Sequence, residues 1–242
     1  MSQILDDYSF DTIEAKTAAR KFFSKVYAFM FGALLISAAI AFQYGTPDFI
    51  FQYFIESTPK GTQILPLFYV VMFAPLGIGL AMQFLINRLS FAALFGMFAL
   101  YSILIGFMLT VVVFMYTTQS LVLTFGITAG TFGIMAVMGY VTKADLTKFG
   151  SILMMAFWGI MIASIVNFFM KSDGLQYLIS IIGVLVFTGL TAYHMQQLKA
   201  FAHDAQQSEE NKNKMALIGG FTLYVLFINL FLSLLRLFGD RN

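Results

Sequence analysis

Of the 242 residues, 60% are hydrophobic and 11% are charged, whereas a soluble domain carries about 25% charged residues, so the chain reads as a polytopic membrane protein. The net charge of +2 comes from basic residues scattered between apolar stretches, which offers no stripe for nucleic acid. There is no cysteine, which removes disulfides, thiolate metal sites and cysteine nucleophiles.

Residues 1–25 open with Asp6, Asp7, Asp11 and Glu14, followed by Lys16, Arg20, Lys21 and Lys25. A cleaved secretory signal needs a short basic start and a small-residue cleavage site. This segment is too long and too acidic, so it is expected to be a cytoplasmic N-terminal tail before an uncleaved first span. Seven apolar runs follow, each long enough for a ~30 Å hydrocarbon core at about 1.5 Å per residue. They are Val26–Gln43, Ile64–Ile86, Phe91–Tyr116, Leu121–Val141, Phe149–Met170, Leu175–Gln196 and Met215–Phe238. Residues 26–239 thus form one seven-helix transmembrane domain, with 240–242 as a C-terminal tail. Most linkers are short, which makes sequential helices antiparallel neighbours. Tyr44–Gln63 and Gln197–Lys214 are longer.

Two runs carry packing signals. Pro75, with Gly77 and Gly79, predicts a kink in the second span. Gly126, Gly130 and Gly133 in the fourth predict close approach of a neighbouring helix, with Thr124, Thr128 and Thr131 able to hydrogen-bond across. Orientation follows from the basic residues, because positive flanks stay cytoplasmic. An N-terminus inside puts Lys16, Arg20, Lys21, Lys25, Arg88, Lys143, Lys148, Lys199, Lys212 and Lys214 on the cytoplasmic side. It leaves Lys60, Lys171, Arg236 and Arg241 at the outer face. Ten against four sets that orientation, with the C-terminus outside if the last segment spans and inside if it is re-entrant.

The last span, MALIGGFTLYVLFINLFLSLLRLFG from Met215 to Gly239, is not uniformly apolar. Gly219, Thr222, Leu226, Asn229, Ser233 and Arg236 recur at three-and-four spacing and fall on one helical face. Polar groups facing lipid cost several kcal/mol, so this stripe is expected to face protein or a wet cavity. Leu226 is its apolar intruder.

The twelve acidic residues all lie outside the spans. Proton-coupled pumps use intramembrane carboxylates, and intramembrane metalloproteases need clustered His and Glu, whereas this chain has only His194 and His203. Neither a nucleophile elbow nor a paired aspartate appears. Enzyme is therefore not the expected class, and no cofactor or metal is implied. His194 sits near the inner end of the sixth span on a face with Ser180, Gly183, Phe187 and Thr191. An imidazole titrates nearer neutrality than any other side chain, so His194 is a candidate pH-responsive group; the alternative is an interfacial histidine with a structural hydrogen bond. Arg88 ends the second span and Arg236 the last, and snorkelling to headgroups accounts for both. Asn167 and Asn229 are expected to hydrogen-bond between helices.

Three runs carry a resemblance. Gly139-Tyr-Val-Thr-Lys-Ala-Asp-Leu-Thr-Lys-Phe-Gly-Ser151, Thr191-Ala-Tyr-His-Met-Gln-Gln-Leu-Lys199 and Phe227-Ile-Asn-Leu-Phe-Leu-Ser-Leu-Leu-Arg-Leu-Phe-Gly239 resemble the Bax inhibitor-1 family, in particular its bacterial branch. The likeness runs from the first span to the end. It implies an all-α membrane fold of seven transmembrane helices, six wrapped around a central C-terminal helix, in a bacterial plasma (inner) membrane. It also implies a pH-sensitive calcium leak, with one aspartate on the sixth helix and one on the seventh sharing a proton while a basic residue after the second helix latches them. Arg88 occupies the latch position. The aspartate positions are filled here by His194 and Leu226, so both carboxylates are missing. The ion-pathway or pH-sensing set is then His194, Leu226, Arg88, Asn229 and Arg236, with the lipid bilayer and calcium or another cation as partners. The alternative reading is a non-conducting regulator that binds a membrane protein, such as a membrane-bound AAA protease, through its N-terminal tail.

Overall fold

Inside a bilayer the backbone has no water to bond, so an apolar run must satisfy its own amides and carbonyls, and the helix is the local way to do so. The structure of the chain, a computed structural model, describes residues 2–58, 61–202, 204 and 207–242, without the side chains of 2–16, 57–58 and 61–62. Pro59, Lys60 and His203 lie outside the described residues. The element order is α1 (Ser2–Tyr44), α2 (Pro47–Tyr53), β1 (Ile55–Thr58), β2 (Gly61–Ile64), α3 (Pro66–Phe84), α4 (Phe91–Met115), α5 (Thr118–Val141), α6 (Thr147–Met170), α7 (Asp173–Ala202) and α8 (Glu209–Phe238). Among the described residues, seven helices are long and apolar enough to cross a membrane, the first as Thr17–Tyr44. The protein is an all-α, multi-pass membrane protein.

The chain divides into two compact units. The first holds Met1–Phe29 and Ile127–Leu237, the second Met30–Gly126 and Phe238–Asn242. In the second unit the Tyr44–Gln63 linker has structure of its own. Pro47 occupies the first turn of α2, where its missing N–H is no loss. β1 and β2 then pair antiparallel, Ile55 opposite Ile64. Ile50, Phe54 and Val71 form a small core there, packed by Phe49, Phe68 and Phe107. Pro75 lies buried inside α3, where it removes the hydrogen bond that an N–H would give to the Val71 carbonyl. Ser90 caps α4 by accepting from Ala93 N at 3.2 Å. At the other end of α4 the chain terminus is fastened to the α4–α5 turn: Thr117 N donates to Asp240 O, Asn242 N to Met115 O and Asp240 N to Ser120 Oγ at 2.9 Å.

The first unit is built on glycine contacts. Without lipid–water transfer to drive association, membrane helices are held by close van der Waals packing and hydrogen bonds. A Cβ on Gly139 of α5 would lie 2.1 Å from the Ala192 carbonyl oxygen of α7, and one on Gly150 of α6 would lie 2.3 Å from the Tyr193 ring. These glycines bracket the α5–α6 loop and seat it on α7. Gln196 completes the join, accepting from Leu146 N at 2.9 Å and donating to Ala144 O at 2.7 Å. Lys199 Nζ donates to Tyr140 O at 2.7 Å and stands 5.1 Å from that residue's ring centre.

The expected close approach at Gly126, Gly130 and Gly133 does not occur. A Cβ on any of the three would meet nothing within 4 Å. The small-residue spacing is present, but the contact belongs to Gly139, one residue type repeated further along the same helix. Thr124 and Thr128 are nevertheless buried.

Candidate functional site on the last helix

α8 is the most enclosed of the seven. In its most apolar stretch 72% of residues are buried, against 11–44% in the other spans. Burial covers every face, since Leu223, Tyr224, Leu226, Phe227, Ile228, Leu230 and Phe231 are all buried in near-unbroken succession. Three helices of the first unit touch it. α1 meets it through Lys25, whose Nζ donates to Asn213 Oδ1 at 2.6 Å, and through Val26, which lies beside Gly219. α5 meets it through Phe132, edge-on to Phe227 with ring centres 5.5 Å apart. α7 meets it at Gly183, where a Cβ would stand 2.7 Å from Ser233 Oγ, and at Leu198, which packs on Gly219.

The two α7 contacts set an antiparallel register between α7 and α8. His194 then stands level with Thr222, and Leu226 level with Leu190 and Thr191, about one turn from His194. On α7 the face Ser180–Gly183–Phe187–Thr191 is buried as expected, and His194 continues it, half-buried, with its ring 5.2 Å from that of Tyr193. Leu226 is 3% exposed. The stripe on α8 faces protein: Gly219 and Ser233 are buried, Thr222 and Asn229 half-buried, and only Arg236 is exposed.

The polar groups of that stripe are satisfied locally. Asn229 Nδ2 donates to Val225 O at 2.8 Å and Ser233 Oγ to Asn229 O at 2.8 Å. The interhelical bond expected of Asn229 is replaced by one within its own helix, because a carbonyl four residues back is always within reach. Asn167 does bridge. Its Oδ1 accepts from Ser172 N at 3.1 Å, closing the α6–α7 turn where Lys171 takes a left-handed φ of 52°. Its Nδ2 faces Gln176 at 3.1 Å. The Gln176 amide lies between Asn167 and Arg236, its oxygen accepting from Arg236 Nε and Nη1, both at 3.2 Å. Snorkelling alone therefore does not describe Arg236, which is anchored at a polar cluster of α6, α7 and α8.

Arg88 belongs to the second unit, exposed in the turn after α3, with its backbone N–H bonded to Leu85 O at 2.9 Å. His194, Leu226, Asn229 and Arg236 belong to the first unit, and of these Arg236 reaches α7 through Gln176. Two side chains of α7 were not singled out from sequence. Gln176 extends the His194 face one turn beyond Ser180, a signal the spacing does carry. Gln196 carries no such signal, because its partners are loop backbone groups.

Residues 19–242 match the family described as inhibitor of apoptosis-promoting Bax1. The chain is 43% identical over 222 residues to an uncharacterized protein of Borreliella burgdorferi, covering 92% of this chain and 93% of that one. It is 36% identical over 232 residues to the inner membrane protein YbhL of Escherichia coli K12, covering 95% and 96%. To YrjE of Lactococcus lactis it is 36% identical over 221 residues, covering 90% of each. A match over nearly the whole chain, joined to seven spans around the same three sequence runs, makes this protein a member of the Bax inhibitor-1 family.

Proposed function

We propose that the protein is a regulated, pH-sensitive cation leak of the bacterial inner membrane, calcium being the first ion to test, and that His194 is its sensor. The observation that carries this reading is the half-buried imidazole of His194 on the α7 face that meets α8, level with Thr222. Leu226 and the self-bonded Asn229 and Ser233 make this arrangement a closed one, with packed side chains where ions would pass. A protonated imidazole repels cations, so flux should fall as pH drops. Purified protein in dye-loaded liposomes tests it: calcium entry should be greater at pH 8 than at pH 5. No flux at any pH between them would sink the proposal. His194→Gln should flatten the pH dependence. His194→Asp with Leu226→Asp should raise flux by restoring a carboxylate pair.

The N-terminus is cytoplasmic in this proposal. The natural absence of cysteine makes the test direct, since a single cysteine at Lys143 should react with a membrane-impermeant maleimide only after the cells are opened. One at Lys171 should react in intact cells.

A second reading, a regulator that binds a membrane-bound AAA protease, is favoured by one observation. α1 begins at Ser2, well before its apolar run at Val26, and so offers about 36 Å of helix beyond the membrane. Deleting residues 1–16 should change turnover of a protease substrate if this reading holds, and leave liposome flux intact.

A further inference from the structure

At the end of the spans where α1 and α8 begin their apolar stretches, a groove of about 390 Å³ opens between the two helices. Its lining includes Thr17, Lys21 and Lys25 from α1 and Glu209, Lys212 and Asn213 from α8. Among the described residues, three ammonium groups face it against one carboxylate. That carboxylate does little to offset them: Glu209 approaches Lys212 at 3.5 Å, but its side chain is 79% exposed, and exposed ion pairs are weak. Lys25 gives one of its three protons to Asn213 at 2.6 Å, which fixes the ammonium in place and leaves two donors for another acceptor. Phe22 and Ala18 supply an apolar wall.

The depth of the groove selects its occupant. Lys25 immediately precedes Val26, where the apolar run of α1 starts, and Lys212 stands three residues before Met215, where that of α8 starts. The ammonium groups are thus at the level where bilayer phosphates lie, beside an apolar wall that suits the adjoining glycerol and first methylenes. Basic side chains at that level attract anionic lipid.

We propose that this groove binds the phosphate of an anionic phospholipid, held by Lys21, Lys25 and Lys212 with Asn213 positioning Lys25, so that one lipid bridges the start of α1 to the start of α8. This does not depend on ion conduction.

Native mass spectrometry of the purified full-length protein tests it, with phosphatidylglycerol or phosphatidylcholine added in turn. The wild type should retain phosphatidylglycerol at least about tenfold more strongly than phosphatidylcholine. Combined Lys21→Gln, Lys25→Gln and Lys212→Gln should remove that preference while far-ultraviolet circular dichroism stays unchanged. Arg20→Gln removes one positive charge from the same end of α1, but Arg20 lines a different groove, with Phe23 and Tyr140, so this variant should keep the preference. An unchanged preference in the triple variant would overturn the proposal, as would equal loss in Arg20→Gln, which would mean diffuse charge rather than a site. Should the triple variant unfold, Lys212→Gln alone carries the test and must still weaken retention. Full displacement of phosphatidylglycerol by millimolar inorganic phosphate would assign the groove to soluble phosphate and overturn the lipid assignment.

Discussion

Leu226 shows how much one side chain in the α7–α8 contact can decide. A carboxylate in its place would be an intramembrane charge, costing about 2.5–3.5 kcal/mol if ionised and unpartnered. His194 lies about one turn away by register, so Leu226→Asp should lower the unfolding temperature in detergent, and lower it further when His194 is changed to Leu. Equal losses with and without His194 would place the two side chains out of reach of each other. Asp145 offers a contrast outside the membrane. Its carboxylate accepts from the Thr147 side chain and backbone, which holds its pKa below the ordinary value. A carboxyl with a depressed folded pKa contributes its stabilisation above the unfolded pKa and loses it only as pH falls through the folded one. That loss lies below the ordinary carboxylate range, so Asp145→Asn should leave any flux change between pH 5 and 8 untouched. The glycines make a third case. Gly139→Ala drives a methyl into the backbone at Ala192, where nothing can turn aside, and should cost about 1–3 kcal/mol. Gly130→Ala meets open space and should cost nothing, gaining instead from helix propensity. The sequence carries both glycines in the same helix, and spacing alone cannot tell them apart. Which one touches a neighbour depends on how far α5 is rotated, and that rotation is fixed by the Gln196 and Lys199 bonds fifty to sixty residues away.

Among elements, the long spans were legible because each is a run of about twenty apolar residues, and the bilayer penalises every unsatisfied backbone group outside a helix. α2 and the β1–β2 hairpin were not. Pro47–Tyr53 has seven residues, too short to be stable alone, since isolated helices below about 12 residues are marginal. It exists because Ile50 and Phe54 bury against Val71 and the phenylalanines of α4, a tertiary cause with no local periodicity. The α5–α6 loop is a related case. Its sequence matched a family pattern, but its reason became visible only with Gln196, whose single amide serves Leu146 N and Ala144 O together. Gln196→Leu removes both bonds at a partly wet site and should cost about 1–2 kcal/mol. Hydrogen exchange at the Leu146 amide should accelerate in that variant while exchange in mid-α6 is unchanged.

For the whole molecule, the hydropathy pattern yields the number of spans, and the enclosure of α8 agrees with the polar stripe read from its sequence. What the pattern could not give is the assignment of residues to units. α1 and α5 each contribute to both, so no break in composition marks a boundary. Arg88 and His194 accordingly fall in different units although the resemblance couples them in one latch. The liposome experiments bear on this directly. In the His194→Asp, Leu226→Asp background, Arg88→Gln should increase calcium flux at pH 7 severalfold if Arg88 holds the restored pair closed. In the natural chain the same change should have little effect, because the carboxylates it would hold are absent.

The contact between Gly139 and Ala192 also has a mechanical meaning. With Tyr193 seated on Gly150 and Gln196 tied to the α5–α6 loop, α7 is pinned close to one end. A rod pinned there is a lever. From Ala192 to Asp173 it runs about 28 Å, so a tilt of about 10° that leaves the pin undisturbed sweeps the far end through about 5 Å. The far end carries Gln176, the amide that faces both Asn167 and Arg236. Spin labels should therefore record larger displacement near Gln176 than near Gln197 whenever α7 moves, and equal displacement at both would mean that the pin slides.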